Sequence, residues 1–182
     1  HGVYRIAAPS DAAVALPPAV QLQAELEAQE GVIDIQQDAQ QQLWLLSRKG
    51  KLYQGLPAEL KLRWQPPQDL ASSNFHCLLA EADLFWLCTD RGLLRVSKDF
   101  SQVDMLSLAQ GLPDIRVIGI TRTEQFIWVL TRNGVMLMRP DGSDIRLLSP
   151  RQELNLAAAQ LRGIVPLPSD QVQLATSDGL WQ

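Results

Sequence analysis

The stretch FIWVLTRNGVMLMR, residues 126–139, places a tryptophan, a threonine and a glycine between two short apolar runs. The first run is rich in Trp, Val and Leu, which suits a buried β-strand. Two polar residues and Gly134 follow, and glycine tolerates the positive φ angles that tight hairpin turns use. The second run, VMLM, again has the composition of a strand. The stretch therefore predicts a β-hairpin with its turn at RNG.

The same pattern recurs along the chain at a nearly constant period. The related segments are LWLLSRKGKLYQ at 43–54, FWLCTDRGLLRV at 85–96, IWVLTRNGVMLM at 127–138 and VQLATSDGLWQ at 172–182. The tryptophans Trp44, Trp86 and Trp128 are 42 residues apart. A hydroxyl residue precedes each turn glycine by three positions; these residues are Ser47, Thr89, Thr131 and Thr176. A fixed period of this length indicates a repeated structural unit.

Each unit also has an apolar stretch before the hairpin and, in three units, one after it. The preceding stretches are 32–38, 75–81, 115–122 and 164–167, and the following ones are 60–64, 103–107 and 145–149. Four antiparallel strands at this period are typical of a β-propeller blade. We predict an all-β chain built from four-stranded antiparallel propeller blades. The alternative is a sandwich or an irregular all-β domain, in which a constant Trp and T-x-x-G spacing is rare.

The phase of the repeats predicts the domain organisation. The N-terminal GVYRI is similar to GLLRV at 92–96, the second half of a unit. One propeller segment is predicted, with a partial blade at 1–18, blades at about 32–65, 74–107 and 115–149, and a partial blade at about 162–182. The segment AVQLQAELEAQE at 19–30 has good helix formers and no Gly or Pro, so a helical or irregular insertion is predicted there.

Both ends of the chain correspond to the third strand of a blade. In a closed four-bladed ring, GVYRI and GLWQ would compete for one position, and an open stack would expose apolar faces. We therefore expect the chain to be part of a larger propeller or to close with a second copy. A four-bladed ring with a displaced strand is the alternative. The start HGVYRI has neither Met nor a signal-peptide pattern, which predicts a processed product or a piece of a longer protein.

The recurring phrase [FI]-W-[LV]-x-T-x-x-G-[LV] resembles the two-component regulator propeller repeat, and AQGLPDIRVIGI at 109–120 resembles the G-L-P element of that repeat. The similarity is strong in the two units around Trp86 and Trp128 and weaker elsewhere, and Gln173 replaces the tryptophan in the last unit. The resemblance implies a sensor region on the periplasmic or extracellular side of a bacterial inner membrane. It also implies a transmembrane helix and a histidine kinase or diguanylate cyclase output domain downstream.

The composition argues against several classes of function. The 182-residue chain has a net charge of −4, so nucleic acid is not an expected partner. No apolar run approaches the roughly 20 residues that cross a bilayer. Two Cys and two His are too few for a zinc framework, and nucleotide-binding and hydrolase motifs are absent. We expect no catalytic residue, cofactor or metal site in this segment.

Three turn arginines, Arg48, Arg91 and Arg132, form the candidate ligand face. Equivalent turns gather at one end of a propeller, so these side chains are predicted to line an anion- or sugar-binding surface. The alternative is that they are solvated turn residues. Cys77 and Cys88 lie on neighbouring predicted strands and are a candidate disulfide, or else two small core residues. His76 is predicted to face away from Cys77 as a satisfied or surface histidine.

The preferred functional hypothesis is a sensor segment that binds an unknown small molecule, a saccharide or a protein partner. The second hypothesis is a propeller scaffold for protein–protein contact. The third is a fragment of a propeller lyase or glycoside hydrolase, because catalytic groups scattered along a sequence escape motif reading.

Overall fold

The computed structural model describes residues 3–5, 20–22, 31–38, 42–56, 59–149 and 160–181. Over these residues the chain forms seventeen strands and two single-turn 3₁₀ helices, Gln68–Leu70 and Leu108–Gln110. The chain divides into two units, His1–Ser72 and Ser73–Gln182, which are described separately.

The first unit contains, among its described residues, one two-stranded and one four-stranded antiparallel sheet. In the smaller sheet, β1 (Val3–Arg5) pairs with β2 (Val20–Leu22). The prediction of a helical or irregular insertion is therefore wrong at Val20–Leu22, because pairing with a distant strand overrides weak local helix propensity. The rest of 19–30 lies outside the described residues.

The four-stranded sheet of the first unit is named blade 1. Its strands are β3 (Val32–Gln37), β4 (Leu43–Ser47), β5 (Leu52–Leu56) and β6 (Glu59–Trp64), paired in chain order. Leu45, Tyr53 and Leu60 are buried together in one apolar cluster of this sheet. The predicted hairpin around SRKG is thus the central β4–β5 pair.

The second unit contains three antiparallel sheets among its described residues. Blade 2 comprises β7 (Phe75–Ala80), β8 (Leu84–Thr89), β9 (Leu93–Ser97) and β10 (Val103–Leu106). Blade 3 comprises β11 (Val117–Arg122), β12 (Ile127–Thr131), β13 (Val135–Met138) and β14 (Arg146–Leu148). Blade 4 comprises β15 (Leu161–Leu167), β16 (Gln171–Thr176) and β17 (Gly179–Trp181).

Apolar faces of consecutive blades pack together in this unit. Trp86 of blade 2 is completely buried and lies in one cluster with Val129, Met136 and Met138 of blade 3. Leu112, from the G-L-P element between the blades, is buried in the same cluster. At the next junction, blade 3 and blade 4 share a cluster against which Trp128 packs partly buried. The recurrence of tryptophan at one phase therefore reflects packing between neighbouring sheets.

The T-x-x-G pattern closes the central hairpin of each blade in the second unit. The hydroxyl oxygen of Thr131 donates a hydrogen bond to the carbonyl of Gly134 at 2.8 Å, and the backbone N–H of Thr131 donates to the same carbonyl at 2.9 Å. Thr89 and Thr176 donate equivalent hydroxyl bonds to Gly92 and Gly179. The hydroxyl group of Thr131 thus adds a second hydrogen bond to the carbonyl of Gly134.

The turn glycines are required for two different reasons. Gly92 has a φ of 147°, and a Cβ atom there would also clash with the carbonyl oxygen of Leu106. Gly134 does not have a positive φ, but a Cβ atom there would lie 3.1 Å from the Cβ of Pro113 and 3.2 Å from the carbonyl of Leu148. The expectation that each turn glycine serves a positive φ therefore fails at Gly134, where the constraint is space.

Replacing Thr131 by Val tests the turn tie with nearly unchanged volume. Because the Thr131 side chain is completely buried, loss of its hydrogen bond should lower the free energy of unfolding by about 1 kcal/mol. Thr176→Val removes the same bond at a partly exposed site, where water replaces it, and should cost clearly less. Urea denaturation of the two variants measures the difference. Equal costs would show that the buried hydroxyl has no special part in the fold.

Candidate functional site

A β-bulge lies at the same position in each of the four blades within the described part of the chain. In every blade, one residue of the first strand pairs with the T-x-x-G hydroxyl residue of the second strand. The next residue of the first strand is left unpaired, and the pairing then resumes. The extra residues are Ile33, His76, Ile118 and Arg162. A bulge bends its strand and re-aims the side chain, and bulges are frequent next to functional sites. Each blade therefore joins its central turn and its bulge at one end, which we name the turn end.

A backbone hydrogen bond ties each turn to the start of the first strand. The residue that follows the T-x-x-G hydroxyl residue donates its backbone N–H to the carbonyl of the residue two positions before the bulge residue. The pairs are Arg48 to Gly31 at 2.8 Å, Asp90 to Asn74 at 3.1 Å, Arg132 to Arg116 at 3.3 Å and Ser177 to Gln160 at 2.9 Å. Side chains from the turn and from the strand start are consequently neighbours at the turn end.

The predicted ligand-face arginines occupy the turn ends of three blades. Arg48 lies in the turn of blade 1, and in the second unit Arg91 and Arg132 lie in the turns of blades 2 and 3; all three are exposed. The structure adds Arg116, just before β11, and Arg162, the bulge residue of blade 4, which are also exposed. A shared ligand face stays a prediction, now with these two further arginines in the second unit.

The turn end of blade 2 holds a polar cluster around His76. Asn74 donates its backbone N–H to one carboxylate oxygen of Asp90 at 3.1 Å and its side-chain amide to the other at 2.7 Å. The Nε2 atom of His76 is buried and has no hydrogen-bond partner within the described ranges of the chain. His76 is half-buried, and the bulge breaks the strict alternation of β7 on which its predicted orientation depends.

Electrostatics at this cluster favours a neutral His76. Burial lowers the pKa of His76 below its ordinary value of 6.5, the Arg116 guanidinium lowers it further, and the Asp90 carboxylate partly opposes both. For Asp90, burial acts to raise the pKa, but the hydrogen bonds from Asn74 outweigh it and the net pKa is lowered. The cluster thus combines a neutral imidazole with a stabilised carboxylate and a nearby cation.

Cys77 and Cys88 stand directly opposite each other in the register of β7 and β8, with Cα atoms 5.0 Å apart. The structure joins their sulfur atoms in a disulfide. Cys88 is completely buried in the cluster between blades 2 and 3, and Cys77 packs against that cluster. The bond therefore fastens the first strand of blade 2 to the second within the core.

No group of three or more His, Cys, Asp or Glu side chains is placed to hold a metal ion in the ranges that the structure describes. Within the same ranges, no helix is both long and apolar enough to pass through a membrane. The chemistry on offer at the turn end is therefore hydrogen bonding and charge, from arginine, amide and carboxylate groups.

Solved structures with similar folds include parts of signalling proteins. The extracellular domain of BT4673, a candidate hybrid two component system from B. thetaiotaomicron, has a TM-score of 0.67 and 16% identity, over 85% of this chain and 20% of that chain. The extracellular domain of BT3049, a candidate hybrid two component system from the same organism, has a TM-score of 0.65 and 16% identity, over 91% and 22%. This chain thus spans about a fifth of either domain.

The WD40 β-propeller domain of Doa1 is also similar, with a TM-score of 0.62 and 13% identity over 82% of this chain and 49% of that chain. No known family profile matches the sequence. No curated protein sequence matches it either. The predicted fold class is confirmed: the chain is all-β, is built from antiparallel propeller blades, and forms part of a propeller.

The pKa of His76 provides a direct test of the cluster. In a proton NMR titration of the two histidines, His76 should titrate below 6.5, and Arg116→Gln should raise its pKa by removing a nearby positive charge. Because the folded-state pKa is lowered, protons favour the unfolded chain, and the contribution of His76 to stability falls as the pH drops below 6.5. Arg132→Gln, at the exposed turn of blade 3, is the control. Equal shifts in both variants would contradict the local effect.

The disulfide predicts a linked peptide pair in the non-reduced protein. Cleavage after Glu81 separates Cys77 from Cys88, so mass spectrometry should find the two fragments joined until a reductant is added. The double variant Cys77→Ala/Cys88→Ala should unfold at lower urea, with a loss of about 2–3 kcal/mol for this short loop. Quantitative alkylation of both cysteines in the folded, non-reduced protein would contradict the bond.

Proposed function

We propose that this chain is a ligand- or partner-sensing segment of an extracytoplasmic propeller in a two-component-type signalling receptor. Its output domain would be a histidine kinase or a diguanylate cyclase, as the repeat resemblance implies. The observation that carries the proposal is the turn end of the second unit, where exposed arginines recur at related positions. These are Arg91, Arg116, Arg132 and Arg162.

Recurring guanidinium groups suit recognition of oxygen-rich ligands. Arginine presents several N–H donors in a fixed fork, which matches carboxylate groups well. The bulges and the backbone hydrogen bonds hold the strand starts and the turns together, so the sheet sets the backbone positions from which these side chains extend. A fixed backbone lowers part of the conformational cost of binding. An acidic small molecule or saccharide is therefore the class of ligand that we propose for this end.

The same proposal places the chain outside the cytoplasm and holds that it binds its ligand without converting it. The joined sulfur atoms of Cys77 and Cys88 fit an oxidising compartment, the periplasmic or extracellular side of a bacterial inner membrane. The resemblance to the regulator repeat and the similar folds of two extracellular domains support the same assignment. A sensor binds its ligand without converting it, and the remainder of a larger propeller, or a second copy, would complete the ring.

The double variant Arg91→Glu/Arg132→Glu tests the turn end. A thermal-shift panel of neutral and uronate-containing oligosaccharides, followed by calorimetry on the full chain, should find an acidic binder whose affinity falls at least tenfold in the variant, equivalent to about 1.4 kcal/mol. Arg146→Glu is the single-site control, because its side chain is 63% exposed on β14 and pairs with Asp144 rather than lying at the turn end.

The outcomes separate the competing functions. Equal weakening by Arg146→Glu would remove the turn end from the binding site. Release of shorter sugars during incubation would favour a lyase or a hydrolase. Absence of any thermal shift, together with stable capture of a protein partner, would favour a scaffold.

A further inference from the structure

Three structurally equivalent residues stand where the first strand of a blade turns into the second. They are Asp38, Glu81 and Thr123. Each lies two positions after the residue that pairs with the tryptophan of its blade, and these pairs are Gln36–Trp44, Leu79–Trp86 and Thr121–Trp128. Each also donates its backbone N–H across the same turn, to Gln42, Leu84 and Phe126 respectively. Their side chains therefore start from matching backbone positions.

In blades 1 and 3 this residue caps the tryptophan indole. The Nε1–H of Trp44 donates to Asp38 Oδ2 at 3.0 Å. The Nε1–H of Trp128 donates to Thr123 Oγ1 at 3.1 Å. The indole N–H of a buried tryptophan normally finds such an acceptor. The two blades show what the position does when its side chain stays within its own sheet.

Blade 2 departs from this arrangement. Trp86 is completely buried, and among the residues that the structure describes its Nε1 atom has no hydrogen-bond partner. The carboxylate that would cap it, on Glu81, instead accepts a hydrogen bond from Nη1 of Arg122 in blade 3 at 2.7 Å. The same guanidinium donates through Nε to the backbone carbonyl of Thr123 at 2.8 Å. The Glu81 carboxylate thus binds a residue of the next blade rather than the tryptophan of its own blade.

We propose that Glu81 is a two-position switch between blade 2 and blade 3. In the position seen here it holds Arg122 and leaves the indole of Trp86 without an acceptor. In the other position it accepts the Trp86 N–H and releases Arg122 to solvent. Glutamate is one methylene longer than the aspartate of blade 1, and the exchange uses this extra length to serve two donors. The side chains of Glu81 and Arg122 are 20% and 34% exposed, so water has access to the pair during the exchange.

The switch would act on the junction of the blades. Trp86 sits in the cluster shared by blades 2 and 3, whereas Arg122 holds the carbonyl of Thr123, the residue that caps Trp128. Two residues further on, Gln125 donates its backbone N–H to the Asp170 carboxylate of blade 4 at 2.8 Å. Release of Arg122 therefore reaches the turn that also contacts blade 4. This inference does not depend on the proposed ligand.

Indole N–H signals in ¹H–¹⁵N NMR spectra of the full chain test the switch. The chain has five tryptophans, and Trp86→Phe assigns the relevant signal. Arg122→Gln should free Glu81 to accept the indole N–H, which moves the Trp86 proton signal downfield. Glu81→Gln weakens the attraction to Arg122 but keeps an acceptor oxygen, and should give a shift in the same direction. The second variant keeps the test decisive where the first fails to fold.

Two controls define the outcome. The double variant Arg122→Gln/Glu81→Ala removes the acceptor, so the Trp86 signal should return to its wild-type position. Arg139→Gln removes a guanidinium that contacts Gln125 and Asp144 rather than Glu81, and should leave the signal unchanged. An unmoved Trp86 signal in both Arg122→Gln and Glu81→Gln, or a shift that persists in the double variant, would overturn the proposal.

Discussion

The burial of one sheet face against the next sheet is the constraint on which the second unit depends. A single four-stranded sheet has no interior of its own, so its apolar residues leave water only at the junction with a neighbour. Trp86 illustrates the scale, because burying an indole removes roughly 150–250 Å² from water, equivalent to about 4–6 kcal/mol. Met136 and Met138, which share its buried cluster, belong to the following blade. Repetition of one sequence phase therefore produces repeated junctions.

A tryptophan at that junction brings a polar N–H into an apolar core. An unsatisfied buried donor costs about 1–3 kcal/mol, whereas a partly exposed ion pair contributes at most about 1 kcal/mol. On these magnitudes, capping the Trp86 N–H would be worth at least as much as the ion pair with Arg122, which makes the second position that we propose for Glu81 accessible. Blades 1 and 3 avoid the competition because Asp38 and Thr123 cap their own indoles. The divergence of one position within a repeat thus underlies the two arrangements that we propose for blade 2.

The repeat could be predicted from the sequence because it depends on residue type at fixed spacing. Tryptophan phase and T-x-x-G turns are chemical signals that each hairpin carries locally. The bulge at His76 could not be predicted, since a one-residue shift in pairing leaves the composition of β7 unchanged. Arg116 and Arg162 could not be predicted for a different reason, because they lie at strand starts rather than in the turns where the ligand face was expected. The strand at Val20–Leu22 could not be predicted from local composition, because it forms by pairing with the distant strand β1.

The two ends of each blade in the second unit carry different chemistry, and the strands connect them. At the turn end, exposed arginines face solvent beside the bulges. At the other end, Glu81 with Arg122 and Gln125 with Asp170 tie successive blades together. Strand β11 starts one residue after Arg116 and ends at Arg122, so one short, hydrogen-bonded segment spans both ends. A ligand that displaced the start of β11 would reach the inter-blade tie through this strand, across the bulge at Ile118.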